Sequence, residues 1–115
     1  MSYSIVRNPD ITILNGVATN PPILANLVND DAQEIIIIAP AVLPETVNVQ
    51  VSADGITFAN LQNPYTFVDY VMVAGKATPI TMPLGMSWRL IAGVNVAADR
   101  VFQNYKRILI SGEAW

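Results

Sequence analysis

The closest group of carboxylates in the sequence is formed by Asp30, Asp31 and Glu34, which follow Asn29 and lead into an apolar run. Carboxylate and amide oxygens are the ligands of Ca²⁺, which takes six to eight of them. The spacing of these residues matches no calcium-binding loop, and it equally suits a solvated turn before a buried strand. We therefore interpret the group as a turn and predict no metal site.

A second set of acidic residues consists of Asp54, Asp69 and Asp99, which lie far apart in the chain. A hydrolase of the paired-carboxylate type needs two acids that converge in one cleft with separated pKa values. Two of these aspartates lie in or near predicted turns, where the residue serves turn formation and solubility. The chain has no histidine and no cysteine, so the usual general base and a thiolate nucleophile are absent. We expect neither enzyme activity nor a cofactor.

The composition predicts a surface that is short of charge, because 13% of the 115 residues are charged, with a net charge of −3. Ordinary domains carry about 25% charged residues. Either another molecule covers part of the surface, or the surface is neutral and rich in Ser, Thr, Asn and Gln. The acidic balance argues against nucleic acid as a partner. Residues 1–7 do not show the basic and then apolar pattern of a signal peptide, and the longest apolar run, residues 35–43, is broken by Pro40. We therefore expect a protein made in the cytoplasm without a membrane segment.

The clearest structural signal is the alternation of valine with polar residues over Val47–Ser52, which predicts a half-buried strand. Residues 53–55, Ala-Asp-Gly, predict a tight turn, because glycine tolerates the positive φ that such turns require. Ile56 and Phe58 continue the alternation, which predicts a return strand. We expect this hairpin to form the centre of an all-β domain.

The first part of the chain predicts short strands at Ser2–Arg7 and Ile11–Leu14, separated by the turn residues Asn8-Pro9-Asp10. Asn20-Pro21-Pro22 cannot pair within a central strand, because proline lacks the backbone donor. We interpret residues 1–22 as an extended N-terminal arm of a single domain that spans residues 1–115.

Three segments in the rest of the chain carry strand signals of different kinds. The four consecutive isoleucines of Ile35–Ile38 predict a strand that is covered on both faces or lies at a subunit contact. Tyr65–Val73 alternates as a strand does. Ala77–Leu84 contains two prolines, which predicts an edge strand or a loop.

The C-terminal part predicts two further strands. In Met86–Ile91, Trp88 and Leu90 share the side expected to face the core, and in Arg100–Ile110 that side carries Phe102. Short strands separated by Gly, Pro and Asn turns predict an all-β fold, an antiparallel β-sandwich that is jelly-roll-like.

The candidate contact residues are Met82, Leu84 and Met86, in a segment without strand alternation, and the terminal Trp115. Methionine adapts well to contact surfaces, and an exposed tryptophan is costly to leave in water, so it suits an anchor in a neighbouring subunit. Two alternatives stay open: the methionines plug one end of the sandwich, and the tail that bears the tryptophan is a disordered terminus.

Several motifs follow one another between residues 33 and 110 of the sequence. They are Gln-Glu-Ile-Ile-Ile-Ile-Ala-Pro-Ala at 33–41, Val-Ser-Ala-Asp-Gly-Ile-Thr-Phe at 51–58, Val-Ala-Gly-Lys-Ala at 73–77, Trp-Arg-Leu-Ile at 88–91 and Ala-Ala-Asp-Arg-Val-Phe at 97–102. In this order they resemble the small β-sandwich virion proteins of tailed bacteriophages.

The resemblance implies a jelly-roll fold, similar also to carbohydrate-binding modules, in a capsid decoration (cement) protein located in the virion. Such a protein binds the major capsid protein on the outside of the shell as a homo-oligomer and carries no catalytic residues. The alternative is a carbohydrate-binding module of a phage tail or host-recognition apparatus. In that case Tyr65, Tyr70 and Tyr105 would form a platform for a sugar, although tyrosines are also common strand formers.

Overall fold

The structure is a computed structural model that describes residues 3–20, 27–28, 32–83 and 85–109. The strands of this part of the chain all pair antiparallel. They are β1 (Tyr3–Ile13), β2 (Leu27–Val28), β3 (Ala32–Ile38), β4 (Val47–Ser52), β5 (Ala59–Asn60), β6 (Val71–Met72), β7 (Ala77–Ile80), β8 (Ser87–Ala92) and β9 (Arg100–Leu109).

The strands form two sheets with one hydrophobic core between them. Sheet 1 has the order β1-β9-β3-β7, and sheet 2 has the order β2-β8-β4-β5, with β6 also paired to β4. The chain passes from one sheet to the other after β1, β2, β3, β6, β7 and β8. This order is that of a jelly roll, so the predicted antiparallel, jelly-roll-like β-sandwich is confirmed.

The core is built from side chains that alternate along the facing strands. Val47 and Val49 of β4 and Leu90 of β8 are completely buried, and Phe102 of β9 meets them from sheet 1. Trp88 precedes Leu90 by two residues on the same side of β8 and is 3% exposed. The predicted core sides of β8 and β9 are therefore confirmed.

β1 is one strand, not two, and a bulge lies where the sequence predicts a turn. Asn8 pairs with Asn104 and Ile11 pairs with Phe102, so Pro9 and Asp10 together oppose one residue of β9. Proline is tolerated here because a bulge at a sheet edge needs no donor from it. The extra residue reverses the alternation, so that odd-numbered residues point outward before the bulge and inward after it.

The N-terminal segment is not an extended arm. β1 pairs with β9 along almost its full length, and Ile11 and Ile13 are 1% and 0% exposed. Farther on, Thr19 forms a bridge to Ile91, and the buried Asn20 side chain accepts a hydrogen bond from the Leu90 amide at 3.0 Å. The arm prediction for residues 1–22 is therefore wrong over residues 3–20, because apolar side chains after the bulge complete the core.

The turn after β4 is wider than the predicted hairpin turn. The Asp54 carboxylate oxygen Oδ1 accepts hydrogen bonds from the Ser52 hydroxyl and from the amides of Ile56 and Thr57, each at 2.8 Å. These bonds keep residues 53–58 out of the sheet, and the return strand is the short β5. The prediction that Ile56 and Phe58 belong to the return strand is wrong, and Ile56 is 83% exposed.

Residues 63–68 form a closed turn, which we call the aromatic loop, instead of the predicted strand over Tyr65–Val73. The side-chain oxygen of Asn63 accepts a hydrogen bond from the Tyr65 amide, and the backbone carbonyl of Asn63 accepts one from the Phe67 amide at 2.8 Å. These local hydrogen bonds favour a turn over the strand that the alternation predicts. Of the predicted strand, only Val71–Met72 forms a strand, β6.

β3 has one buried face and one half-buried face. Ile35 and Ile37 are 3% and 0% exposed, whereas Ile36 and Ile38 lie half-buried on the outside of sheet 1. The prediction that this strand is covered on both faces is wrong for the described chain, and its alternative, a subunit contact, stays a prediction. β7 (Ala77–Ile80) lies at the edge of sheet 1, as predicted.

Candidate contact surfaces

The outer face of sheet 1 is a broad surface formed by strand residues. The register places Arg7, Tyr105, Ile36 and Pro79 in one row across the four strands. Pro79 is exposed, and Ile36 lies between it and Tyr105. Successive strands therefore present an arginine, an aromatic ring and two apolar side chains side by side on the outer face.

Apolar side chains extend this surface to either side of the row. Ile5 is 55% exposed and lies opposite Arg107, and Val101 is 44% exposed near the other end of β9. Ile38 pairs with Gln103 and is half-buried. We call the surface formed by Ile5, Arg7, Ile36, Ile38, Pro79, Val101 and Tyr105 the apolar face.

The charges on the apolar face are partnered within the chain. The Arg7 guanidinium lies 5.5 Å from the centre of the Tyr105 ring and donates to Asp10 at 3.1 Å. Arg107 lies 3.8 Å from a carboxylate oxygen of Glu34. A surface with apolar area at its middle and paired charges at one end is suited to contact with another protein.

The outer face of sheet 2 has a different character, because a row of hydrogen-bonded polar groups crosses it. Arg89 Nε donates to Gln50 Oε1 at 2.9 Å, and Gln50 Nε2 donates to Asn60 Oδ1 at 3.0 Å. Asn60 Nδ2 in turn donates to Asp69 Oδ2 at 2.9 Å. We call these four residues the polar ladder. It begins at a cation and ends at an anion, and two amides connect them.

Aromatic residues lie at both ends of the polar ladder. The Phe58 ring packs against the Arg89 guanidinium, whose central carbon is 4.1 Å from the ring centre. At the other end, the backbones of Asp69 and Gln62 form an isolated antiparallel β-bridge at the base of the aromatic loop. The ladder and the loop are therefore one continuous feature of sheet 2.

The aromatic loop presents its large side chains to solvent. Tyr65, Phe67 and Val68 are 85%, 74% and 62% exposed. Phe67 has a φ of 59°, in the left-handed region that costs a residue with a side chain roughly 1–2 kcal/mol. The chain thus holds an exposed aromatic side chain in a strained conformation, a combination that is concentrated at functional sites.

The predicted contact residues are placed as follows. Met82 is 4% exposed and belongs to the core, which favours the interpretation that it plugs the sandwich. Met86 is half-buried. Leu84 and Trp115 lie outside the described residues, so their contact roles stay predictions.

The other groups considered from the sequence do not assemble into a site. Tyr70 is buried, and its hydroxyl accepts a bond from the Thr81 amide, whereas Tyr65 lies in the aromatic loop beside sheet 2 and Tyr105 lies on sheet 1. The acidic residues of the predicted turn at 29–31 are outside the described residues. Asp99 accepts a bond from the Asn15 amide at 2.8 Å. The tyrosine platform is therefore not formed.

The carboxylate of Asp54 is the group whose ionisation is most clearly altered. The bonds donated by the amides of Thr57 and Ile56 and by the Ser52 hydroxyl lower its pKa from 3.8 to about 2. These donors all belong to the turn itself, so the shift has a structural cause. It does not create an acid or base near neutral pH.

Over the residues that the structure describes, no enclosed pocket and no cluster of metal-ligating side chains is found. A search of the same residues for a helix of membrane-spanning length and hydrophobicity finds none. Among the described residues, two open surfaces offer features for molecular recognition: the apolar face, and the polar ladder with its aromatic loop.

Sequence reasoning did not predict the polar ladder. Gln50 was assigned to a strand between valines, which predicts an outward polar side chain. Asp69, however, lies in the segment Tyr65–Val73, where the strand prediction is wrong, and the sequence carries no strand signal at Asn60. The signal that could have found the ladder is the outward alternation of Gln50 and Arg89 on β4 and β8, which pair directly.

Comparisons of this chain with models of known protein families, with curated proteins and with solved structures found no match.

Proposed function

We propose that this chain is a structural protein of a tailed bacteriophage particle that decorates the outside of the head and binds the major capsid protein. The observation that carries the proposal is the apolar face, where Ile5 and Val101 are 55% and 44% exposed and the outward isoleucines Ile36 and Ile38 lie on β3, the strand next to β9. Exposed apolar area of this kind marks sites of protein contact. The order of motifs in the sequence supports the choice of a virion protein.

The low content of charged residues, 13% of the chain, supports the same proposal. A protein that binds only the assembled shell stabilises that shell by mass action. Several copies that self-associate around one axis of the shell add their contacts through avidity, so each contact can be modest. The jelly-roll sandwich gives such a protein an outer sheet face of four paired strands for each contact.

The test is co-sedimentation of the purified protein with heads of the phage that encodes it, prepared without it. We expect saturable binding at a fixed ratio to the major capsid protein. A variant with Ile36→Lys and Ile38→Lys places two charges on the apolar face and should reduce binding at least tenfold. Ile91→Lys is the matched control, because Ile91 is a half-buried isoleucine on the outer face of the other sheet.

Two results would refute the proposal. Absence of binding by the native protein would discard head decoration altogether. Equal loss of binding in the control and in the double variant would show that the apolar face is not the contact. Circular dichroism of each variant must first show the spectrum of the native sandwich.

A further inference from the structure

The hydrogen bonds of the polar ladder fix the orientation of its planar groups. Each amide is held at both ends: Gln50 accepts from Arg89 and donates to Asn60, and Asn60 accepts from Gln50 and donates to Asp69. Neither amide can rotate without breaking two bonds. A row of polar groups in fixed orientation is preorganised for a ligand, because ordering these side chains costs little upon binding.

The polar ladder also retains hydrogen-bonding capacity after its internal bonds are counted. Gln50 and Asn60 each keep one amide hydrogen, and Arg89 keeps its two terminal NH2 groups. Asp69 keeps its second carboxylate oxygen, Oδ1, as an acceptor. Donors and an acceptor thus lie side by side on an outer sheet face.

This mixture of groups selects one class of ligand. A hydroxyl both donates and accepts, so neighbouring hydroxyls match a row that offers amide hydrogens beside a carboxylate oxygen. A carboxylate or phosphodiester ligand can only accept and would be repelled by Asp69. The ladder contains one positive and one negative charge, which gives it no net attraction for an ionic ligand.

The aromatic residues beside the ladder supply the apolar half of such recognition. The C–H face of a sugar ring packs against aromatic rings, and the aromatic loop holds Tyr65 and Phe67 at 85% and 74% exposure next to Asp69. Phe67 has a left-handed backbone conformation, a kind of strain that is concentrated at functional sites. No pocket is needed, since an extended chain can lie across an open face.

We infer that the outer face of sheet 2 binds a neutral oligosaccharide, with the polar ladder contacting its hydroxyls and the aromatic loop contacting its ring faces. This site lies on the opposite side of the sandwich from the apolar face. A copy that is bound to a protein surface through sheet 1 therefore still exposes the saccharide site. The inference does not depend on head decoration, because it is drawn from residues of the other sheet.

The test is native affinity electrophoresis of the full chain in gels that contain one polysaccharide each. The neutral probes are a β-glucan, xylan, galactomannan and α-mannan, and the acidic probes are polygalacturonate and hyaluronan. We expect retardation by at least one neutral probe. Asn60→Ala removes the middle of the ladder and should weaken that binding about tenfold, the usual scale for a lost hydrogen-bonding group.

The matched control is Asn95→Ala, which removes an exposed asparagine from the connection between β8 and β9 and should bind as the native protein does. A second variant, Tyr65→Ala with Phe67→Ala, should lose binding by tenfold or more without changing the ladder. The free energy of unfolding of every variant is measured with urea, so that a loss of folding is separated from a loss of binding.

Three results would overturn the inference. They are the absence of retardation by every neutral probe, retardation by acidic probes alone, and undiminished binding by Asn60→Ala. In each case the ladder serves to hold β5 to β4. These outcomes leave head binding untouched, because the Ile36→Lys and Ile38→Lys variant keeps the ladder intact and tests the other face.

Discussion

Glu45 and Arg100 form a bidentate ion pair in which Arg100 Nε and Nη2 donate to the two carboxylate oxygens at 2.9 and 3.0 Å. Their side chains are 6% and 10% exposed. Glu45 lies in the connection that leads from sheet 1 to β4, and Arg100 is the first residue of β9. The ion pair therefore connects the segment between β3 and β4, which crosses from sheet 1 to sheet 2, with β9, an inner strand of sheet 1.

The first prediction concerns this ion pair. The hydrogen bonds from Arg100 lower the pKa of Glu45, and the carboxylate raises the pKa of Arg100, so each charge is stabilised by the other. Glu45→Met or Arg100→Met leaves one nearly buried charge alone and should lower the melting temperature by roughly 5 °C or more. The double variant should recover most of the loss. A double variant whose loss equals the sum of the single losses would show that the two residues are not coupled.

The second prediction concerns the pH dependence of the turn at Asp54. The pKa of the carboxylate is about 2 in the folded protein, whereas an unperturbed aspartate, as in the unfolded chain, has a pKa of 3.8. The unfolded state therefore binds the proton more readily. Its contribution to stability is therefore complete above pH 4 and is lost as the pH falls towards 2. Asp54→Asn should be less stable than the native protein at pH 7, and the difference should disappear as the pH falls below 2. Melting curves across this range provide the measurement, and a difference that does not change with pH would contradict it.

The third prediction compares two isoleucines of β1 that lie on opposite sides of the bulge. Ile13 is 0% exposed and Ile5 is 55% exposed. Ile13→Ala should reduce the free energy of unfolding by about 2–5 kcal/mol, whereas Ile5→Ala should change it by about 0.5 kcal/mol or less. Urea unfolding measures both. Equal effects would mean that the bulge does not reverse the alternation as described.

The fourth prediction concerns the strain in the aromatic loop. Asparagine tolerates a φ of 59° better than phenylalanine does, and Phe67 buries little surface. Phe67→Asn should therefore increase the free energy of unfolding by about 1 kcal/mol. Tyr65→Asn is the control, because Tyr65 is equally exposed and its φ is not positive. Destabilisation by Phe67→Asn would show that the ring packs against the sandwich.

The fold class was predictable because its signals are local and repeat along the chain. The alternation in β4 and β8 identified the core side of each strand, and burial of Val49 and Leu90 agrees with it. The pairing order of the strands does not follow from alternation. It depends on which connections cross between the sheets, and the spacing of turns does not specify this.

The errors have a common physical cause, which is local hydrogen bonding that the alternation pattern does not reveal. Asp54 holds its turn together through its side-chain carboxylate, and Asn63 does so through its side-chain oxygen and its backbone carbonyl. Both turns replace predicted strand residues. At Pro9 the opposite happened: a residue typical of turns was accommodated within a strand by a bulge. The polar ladder combines residues from correctly and wrongly predicted segments, so it required the structure.

Both free edges of sheet 1 carry a proline, Pro9 in β1 and Pro79 in β7. An exposed edge strand is a template on which further strands can add, and a missing N–H interrupts that template. Pro9 lies in a bulge, which also bends the edge away from a straight partner. We expect the two prolines to oppose fibril growth, in which copies of a protein join their sheets edge to edge into one continuous ribbon.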